Sequence, residues 1–397
     1  MKQYIDLLKK ESILRRLSLI QLISYFGAWF SNVAIYTLLL DMHVSADVIA
    51  IVAALYLIPG AIQAPMSGVL IDRLEPKRLM LTLLFVEIVS TFALLLIADR
   101  SDLWLLYILI FVRMAAASFY FTAEMSLLPK ILDHSILRQA NEIHSIIWSF
   151  SYTVGMAVSG FVVYLVGVKF AFVLDGSLFL IAVFLFMGIS LHVKVEEVKE
   201  SIVLMMQKSF TYLVEHKDIF HLMLLHSLVG LTSYDAIVAL MVDKYYAPFI
   251  ATALALGLVH AFRALGLVIG PMVLGKWIND KRIFYVFIFQ GLALFVWSLT
   301  IENFYLSLAA CILVGLFTTT LWSYSYTLIQ HKTDKKFYGR IVAYNDMIFL
   351  LVASSTAYFT GALVKQGWSI EKIIMLLGTA FVLSSFYYLW IYRRYLR

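Results

Sequence analysis

Ionisable side chains stand inside long apolar runs of this sequence, foremost Arg113, Asp235, His260 and Arg263, with Glu124 near one end of its run. A charged group at the centre of a bilayer costs roughly 2.5–3.5 kcal/mol or more, so such residues are kept for pairing, ion movement or ligand contact. Arg113 and Glu124 are eleven residues apart, three helical turns, and therefore share one face of a helix. Asp235 and Arg263 fall on consecutive apolar runs, which are expected to neighbour each other. An unpaired carboxylate at the depth of Asp235 is a proton carrier, and a pair with Arg263 that breaks on protonation is a switch. Arg113 also reads as a member of a structural pair, Glu124 as meeting a loop base, and Asp235 with Arg263 as a static ion pair. His260 shares a face with Arg263; hydrogen-bonded packing is its ordinary role and ligand contact the alternative. Glu87 and Asp175 read as structural pairing groups. His226 and Asp235 are nine residues apart on opposite faces of one helix, so no metal site is expected with them or with His221.

The chemistry that would make this chain an enzyme is absent. There is no GxxxxGK[ST] phosphate loop, no HExxH, no GxSxG and no cofactor fingerprint, so neither cofactor nor ATP is expected. The lone cysteine, Cys311, excludes a disulfide framework. With 62% hydrophobic and 14% charged residues and a mean hydropathy of +0.89, the chain has more apolar surface than a water-soluble core can hide. The net charge of +6 is accounted for by loops rather than by nucleic acid.

The elements that carry these groups are transmembrane helices. Apolar runs long enough to span a bilayer cover 17–41, 46–71, 79–98, 103–128, 139–166, 169–191, 218–242, 249–277, 283–301, 304–329, 340–365 and 369–392, giving an all-α membrane protein of twelve spans. Of the 31 Lys and Arg, 24 fall in the loops and tails on one side of this arrangement. Five (Arg100, Lys169, Lys244, Lys365 and Lys372) fall on the other, leaving only Arg113 and Arg263 in spans. The positive-inside rule then predicts both termini in the cytoplasm, as for a multi-pass protein of a bacterial inner membrane. No cleavable signal peptide is expected. The polar stretch 192–217 divides the chain into six-span halves, 1–191 and 218–397. It reads either as an amphipathic surface helix, with Val198, Ile202, Met205 and Met206 at helical spacing, or as a charged linker.

A repeat survives after the second span of each half: Gly68 with Asp72, Arg73, Lys77 and Arg78, against Gly275 with Asn279, Asp280, Lys281 and Arg282. The first of these resembles the signature loop of the major facilitator superfamily, with Pro76 where a Gly usually precedes the basic pair. Leu127-Leu128-Pro129-Lys130 with Leu137-Arg138-Gln139-Ala140-Asn141, Gly155 to Gly160, and Gly339-Arg340 resemble loops and the antiporter motif of its drug/metabolite:proton antiporter branch, which includes macrolide and siderophore exporters. The resemblance implies two pseudo-symmetric six-helix bundles that rock about a central site. It also implies an Arg on the fourth span, here Arg113, in proton coupling, and peripheral positions for the third and sixth spans that bear Glu87 and Asp175.

On that reading, Asp235, Glu124, Arg113 and Arg263 are the proton-coupling candidates. Gly68, Asp72, Arg73, Lys77, Arg78 and Asp346 form a cytoplasmic gate, with Asp346 facing Arg73 or Lys77. Tyr120, Trp148, His260, Trp322 and Tyr326 line an adaptable, largely apolar cavity. The expected activity is proton-coupled export of a small amphipathic compound by a monomer in the lipid bilayer. The two buried arginines tilt the substrate toward neutral or anionic molecules. A siderophore or metabolite exporter, a lysolipid or lipid flippase of the same fold, and a non-transporting receptor stay open as alternatives.

Overall fold

The computed structural model describes residues 2–191, 202–334 and 337–397. Twelve helices of 18 to 32 residues are long and apolar enough to cross a membrane: Ser12–Asp41, Ala46–Ser67, Pro76–Leu96, Arg100–Ile131, Gln139–Val166, Val168–Met187, Lys217–Tyr246, Thr252–Leu274, Ile283–Thr300, Phe304–Lys332, Tyr338–Lys365 and Ile370–Leu396. They are called the first to twelfth spans below. Helix is the form these sequences take because hydrocarbon offers no partner to a free N–H or C=O. Side chains such as Phe184, Met272 and Leu299 point outward, apolar and exposed, where lipid would cover them.

Within the first half, the first span packs on the fifth and sixth, and the third on the fourth and sixth. In the second half the eighth packs on the tenth, and the ninth on the tenth and twelfth. The halves meet along two seams, eighth on fifth and eleventh on second. Exchanging the halves turns one seam into the other, so the interface has the symmetry of the repeat.

Three local details carry that symmetry. The turns after the fifth and eleventh spans each bend at a glycine with positive φ, Gly167 at 87° and Gly367 at 90°, a conformation only glycine adopts without strain. After the second span, the Glu75 carboxylate caps the third span by accepting from the Lys77 and Arg78 amides at 3.1 and 2.9 Å. After the eighth, the Asn279 side chain accepts from the Lys281 and Arg282 amides, both at 3.1 Å. In each half a capping oxygen stands two residues before a basic pair. Glycine spacing aligns Asn279 with Asp72; the caps align it with Glu75.

Both ends of the chain lie on one face, termed the terminal face. The stretch 192–201, including Val198, lies outside the described residues, as do the surroundings of Gly68 and the side chain of Asp72. Beyond that stretch, Ile202–Glu215 is a helix. It buries Ser209, Tyr212 and Leu213 while Phe210 and Val214 face outward, and the Tyr212 ring stacks on Phe337.

Candidate functional site

The seventh span does not run straight through. Helix Lys217–Ser227 gives way to a tighter turn over Leu228–Thr232, and a helix resumes at Asp235–Met241. At Gly230 a Cβ would lie 2.8 Å from backbone atoms of Phe349 and Ala353, so the break is pressed against the eleventh span. A break in a membrane helix frees carbonyls that another group must satisfy. Here Arg263 of the eighth span does so, donating from Nη2 to the Thr232 carbonyl at 3.0 Å. Its Nη1 donates to the Tyr152 hydroxyl at 3.3 Å, reaching across to the fifth span in the other half. Its guanidinium also lies 5.0 Å from the centre of the Tyr234 ring, a cation–π contact.

Asp235 stands beside this junction. Its carboxylate is 3.9 Å from His260 Nε2 and is one-third exposed, whereas His260 is 1% exposed. Arg263 feels the Asp235 charge, but its described hydrogen bonds go to Thr232 and Tyr152. The expected direct Asp235–Arg263 pair is thus replaced by an arrangement in which the broken backbone and a phenol from the other half hold the guanidinium.

The first half completes the cleft with Trp148, a cavity candidate of the sequence reading, and with several residues that reading did not single out. Trp29 packs its ring 4.6 Å from that of Tyr152, and Trp148 lies 5.5 Å from Tyr152 on the other side. Tyr36 and Tyr56 stack at 6.1 Å within the electrostatic reach of Asp235. Several buried polar atoms here have no hydrogen-bond partner among the described residues: Trp29 Nε1, Asn32 Oδ1, the Tyr36 and Tyr56 hydroxyls, both His260 ring nitrogens and Arg263 Nε. Buried polar groups are normally satisfied. This many orphans around one space suit a ligand with several hydrogen-bonding groups. The signal that could have found the first-span face is the spacing Trp29, Asn32, Tyr36, which places all three on one side of a helix.

The remaining predicted residues separate into other places. Arg113 and Glu124 share a helix face but serve different partners. Arg113 Nη2 is 2.7 Å from Asp175 Oδ2, an ion pair buried inside the first half, which the Ser31 hydroxyl joins by donating to the same oxygen. Glu124 accepts from the Tyr25 hydroxyl at 3.2 Å, with Tyr120 buried nearby. Trp322 stacks on Tyr326 at 5.2 Å, both against His226. Trp322 and Trp148 are each partly exposed.

At the terminal face the expected contact between Lys77 and Asp346 is not made. Lys77 Nζ donates to the Met187 carbonyl at 2.9 Å, because the third span begins where the sixth ends and a helix C-terminus leaves carbonyls free. Asp346 lies beside the Asn345 amide at 3.3 Å, and Arg78 beside Glu75 at 3.7 Å. The opposite face is tied across the halves. Gly257 and Gly160 meet where a Cβ on Gly257 would lie 2.6 Å from the Met156 carbonyl. Gly361 abuts Ala46 and Ala50, and Lys365 pairs with Asp47 at 2.9 Å.

Comparison with known proteins agrees with this fold. The family model described as Major Facilitator Superfamily matches residues 17–241. Macrolide efflux protein A of Streptococcus pyogenes is 24% identical over 374 residues, 91% of each chain. The uncharacterized MFS-type transporter YfiS of Bacillus subtilis is 29% identical over 169 residues, 42% of this chain and 40% of its own. Among solved structures, a D-xylose–proton symporter superposes with a TM-score of 0.75 at 10% identity, covering 94% of this chain and 96% of its own. The nucleoside transporter NupG does so with 0.73 at 12%, covering 96% and 98%. These likenesses establish the fold.

Proposed function

Since this chain belongs to the Major Facilitator Superfamily, a family of transporters rather than enzymes, we propose that it exports a small amphipathic compound from a bacterial cytoplasm in exchange for protons. The terminal face is cytoplasmic on this reading, by the distribution of Lys and Arg, and the monomer is the working unit. The observation that carries the proposal is the junction of Asp235, His260 and Arg263 with Tyr152. It is an ionic site at mid-span, built from both halves, with Asp235 one-third exposed. Similarity to macrolide efflux proteins over nine-tenths of the chain supports export of an organic molecule of that size class.

Asp235 takes the proton and Arg263 the changing hydrogen bonds as the halves rock. The cleft sets one cation against one carboxylate, and Arg113 is already neutralised by Asp175. The tilt toward anionic substrates therefore loses half its basis, and a neutral or zwitterionic molecule with several hydrogen-bonding groups fits better. The test is flux in proteoliposomes under an imposed pH gradient against a panel of macrolides, siderophores and lysolipids. The wild type should move at least one class faster with the gradient, and Asp235→Asn should lose that acceleration. Equal acceleration in both proteins would defeat the assignment of Asp235.

A further inference from the structure

The eleventh and twelfth spans follow one another in the chain yet barely touch. The eleventh packs on the second span and on the seventh-span break, and the twelfth on the ninth. The gap between them is a groove of about 370 Å³. Leu351, Phe359 and Leu363 wall one side, Leu376 the other, and Leu231 of the seventh-span break closes the inner end. Leu351, Phe359 and Leu376 are apolar and exposed, so the groove opens toward lipid. Thr356 and Thr360 form its floor, and their hydroxyls donate to carbonyls of their own helix, both at 2.8 Å. Ser355, small and exposed, leaves the hollow unfilled.

The shape of the groove selects its occupant. From Ile348 to Leu363 it follows the eleventh span for about 22 Å, at 1.5 Å per residue. That reaches from the membrane middle to the face opposite the termini, where one leaflet of hydrocarbon is about 15 Å deep. A volume of about 370 Å³ drawn out over that length leaves a channel a few ångströms across. A hydrocarbon chain fits it, and a helix about 10 Å in diameter from a second copy does not.

The outer end supplies what a headgroup needs. Lys372 stands one turn from Leu376 on the same face of the twelfth span. It is exposed and pairs with no carboxylate among the described residues. It also lies in the first turn of its helix, where a phosphate is favoured. The neighbouring carboxylate, Glu371, is held by the Tyr245 hydroxyl. Trp368 is 43% exposed at the same end, as an interfacial anchor would be. We propose that the groove holds one acyl chain of a phospholipid from the leaflet opposite the termini. Its phosphate meets Lys372, and its chain end abuts Leu231. The next residue, Thr232, gives its carbonyl to Arg263, so the break is supported by lipid on one side and by the cleft arginine on the other. This holds whatever compound the cleft carries.

The test uses proteoliposomes of the full chain containing a phosphatidylglycerol with a photoreactive diazirine at one acyl-chain end. After irradiation and proteolysis, mass spectrometry should find adducts on peptides bearing Leu231 and Ile348 at least fivefold above those on peptides bearing Phe184 and Leu299, which face lipid elsewhere. Ser355→Phe fills the groove from the lipid side. It should abolish the enrichment while labelling at Phe184 and the melting temperature stay as in the wild type. Lys372→Gln removes one basic residue at the membrane surface and should lower the enrichment about fivefold. Even labelling over all lipid-facing peptides would overturn the proposal, as would enrichment that survives Ser355→Phe. Enrichment unchanged by Lys372→Gln would overturn the place given to the phosphate. Enrichment that appears only when the protein is diluted in lipid would assign the groove to a second copy, and displacement of the label by a macrolide would assign it to substrate; either result overturns the lipid assignment.

Discussion

The hydroxyl of Tyr152 is the single described hydrogen-bond donor or acceptor that joins Arg263 to the other half. Replacing it with Phe keeps the ring packing on Trp29 and Trp148 and removes one bond to a charged group, worth about 1–2 kcal/mol at the longer end of the range. We expect Tyr152→Phe to fold normally and to slow initial transport several-fold; an unchanged rate would mean that the bond is incidental. The two buried arginines should separate by experiment. Arg113→Ala leaves Asp175 buried without its counter-charge, a defect of about 3–5 kcal/mol, and should lower the melting temperature sharply in a thermal-shift assay. Arg263→Ala frees the Thr232 carbonyl at the break, a smaller defect of about 1–3 kcal/mol, and should cost most of the flux. Depth alone marked both residues in the sequence. Depth could not say that Arg113 would find Asp175, sixty-two positions away, because the order in which spans become neighbours is set by tertiary packing. For the same reason Asp235 and Arg263 read as a direct pair when the broken backbone at Thr232 takes the guanidinium instead.

Among the elements, the eighth and fifth spans meet backbone to backbone at Gly257 and Gly160. A Cβ at Gly257 would approach the Met156 carbonyl to 2.6 Å and Gly160 Cα to 2.9 Å, contacts that force the helices apart. Overpacking of this kind costs about 1–3 kcal/mol, and here it weighs on the state in which the face opposite the termini is closed. Gly257→Val should therefore increase the rate at which a cysteine placed at Asp47 reacts with a membrane-impermeant maleimide. Unaltered reactivity would show that the seam does not govern that gate. The spans themselves were legible to within a few residues, since twenty apolar residues bounded by charge leave a helix no alternative in lipid. The break in the seventh span was not legible, because Leu228 to Thr232 is as apolar as its surroundings and only the approach of the eleventh span at Gly230 accounts for it.

At the scale of the whole molecule, two seams related by the repeat hold the halves together, and the polar pair Asp47–Lys365 adds to one of them at the face opposite the termini. At the terminal face Lys77 bonds to Met187 and Arg16 to the Gly188 carbonyl within the first half. Rocking requires two end states, between which ties such as Asp47–Lys365 must break. The central claim is that transport needs the opposite face to part. Cysteines at Asp47 and Lys365, joined by a short bis-thiosulfonate linker that reductant cleaves, test it directly in proteoliposomes. Linked protein should stop transporting and recover when reduced; linked protein that transports at the unlinked rate would contradict alternating access through this cleft.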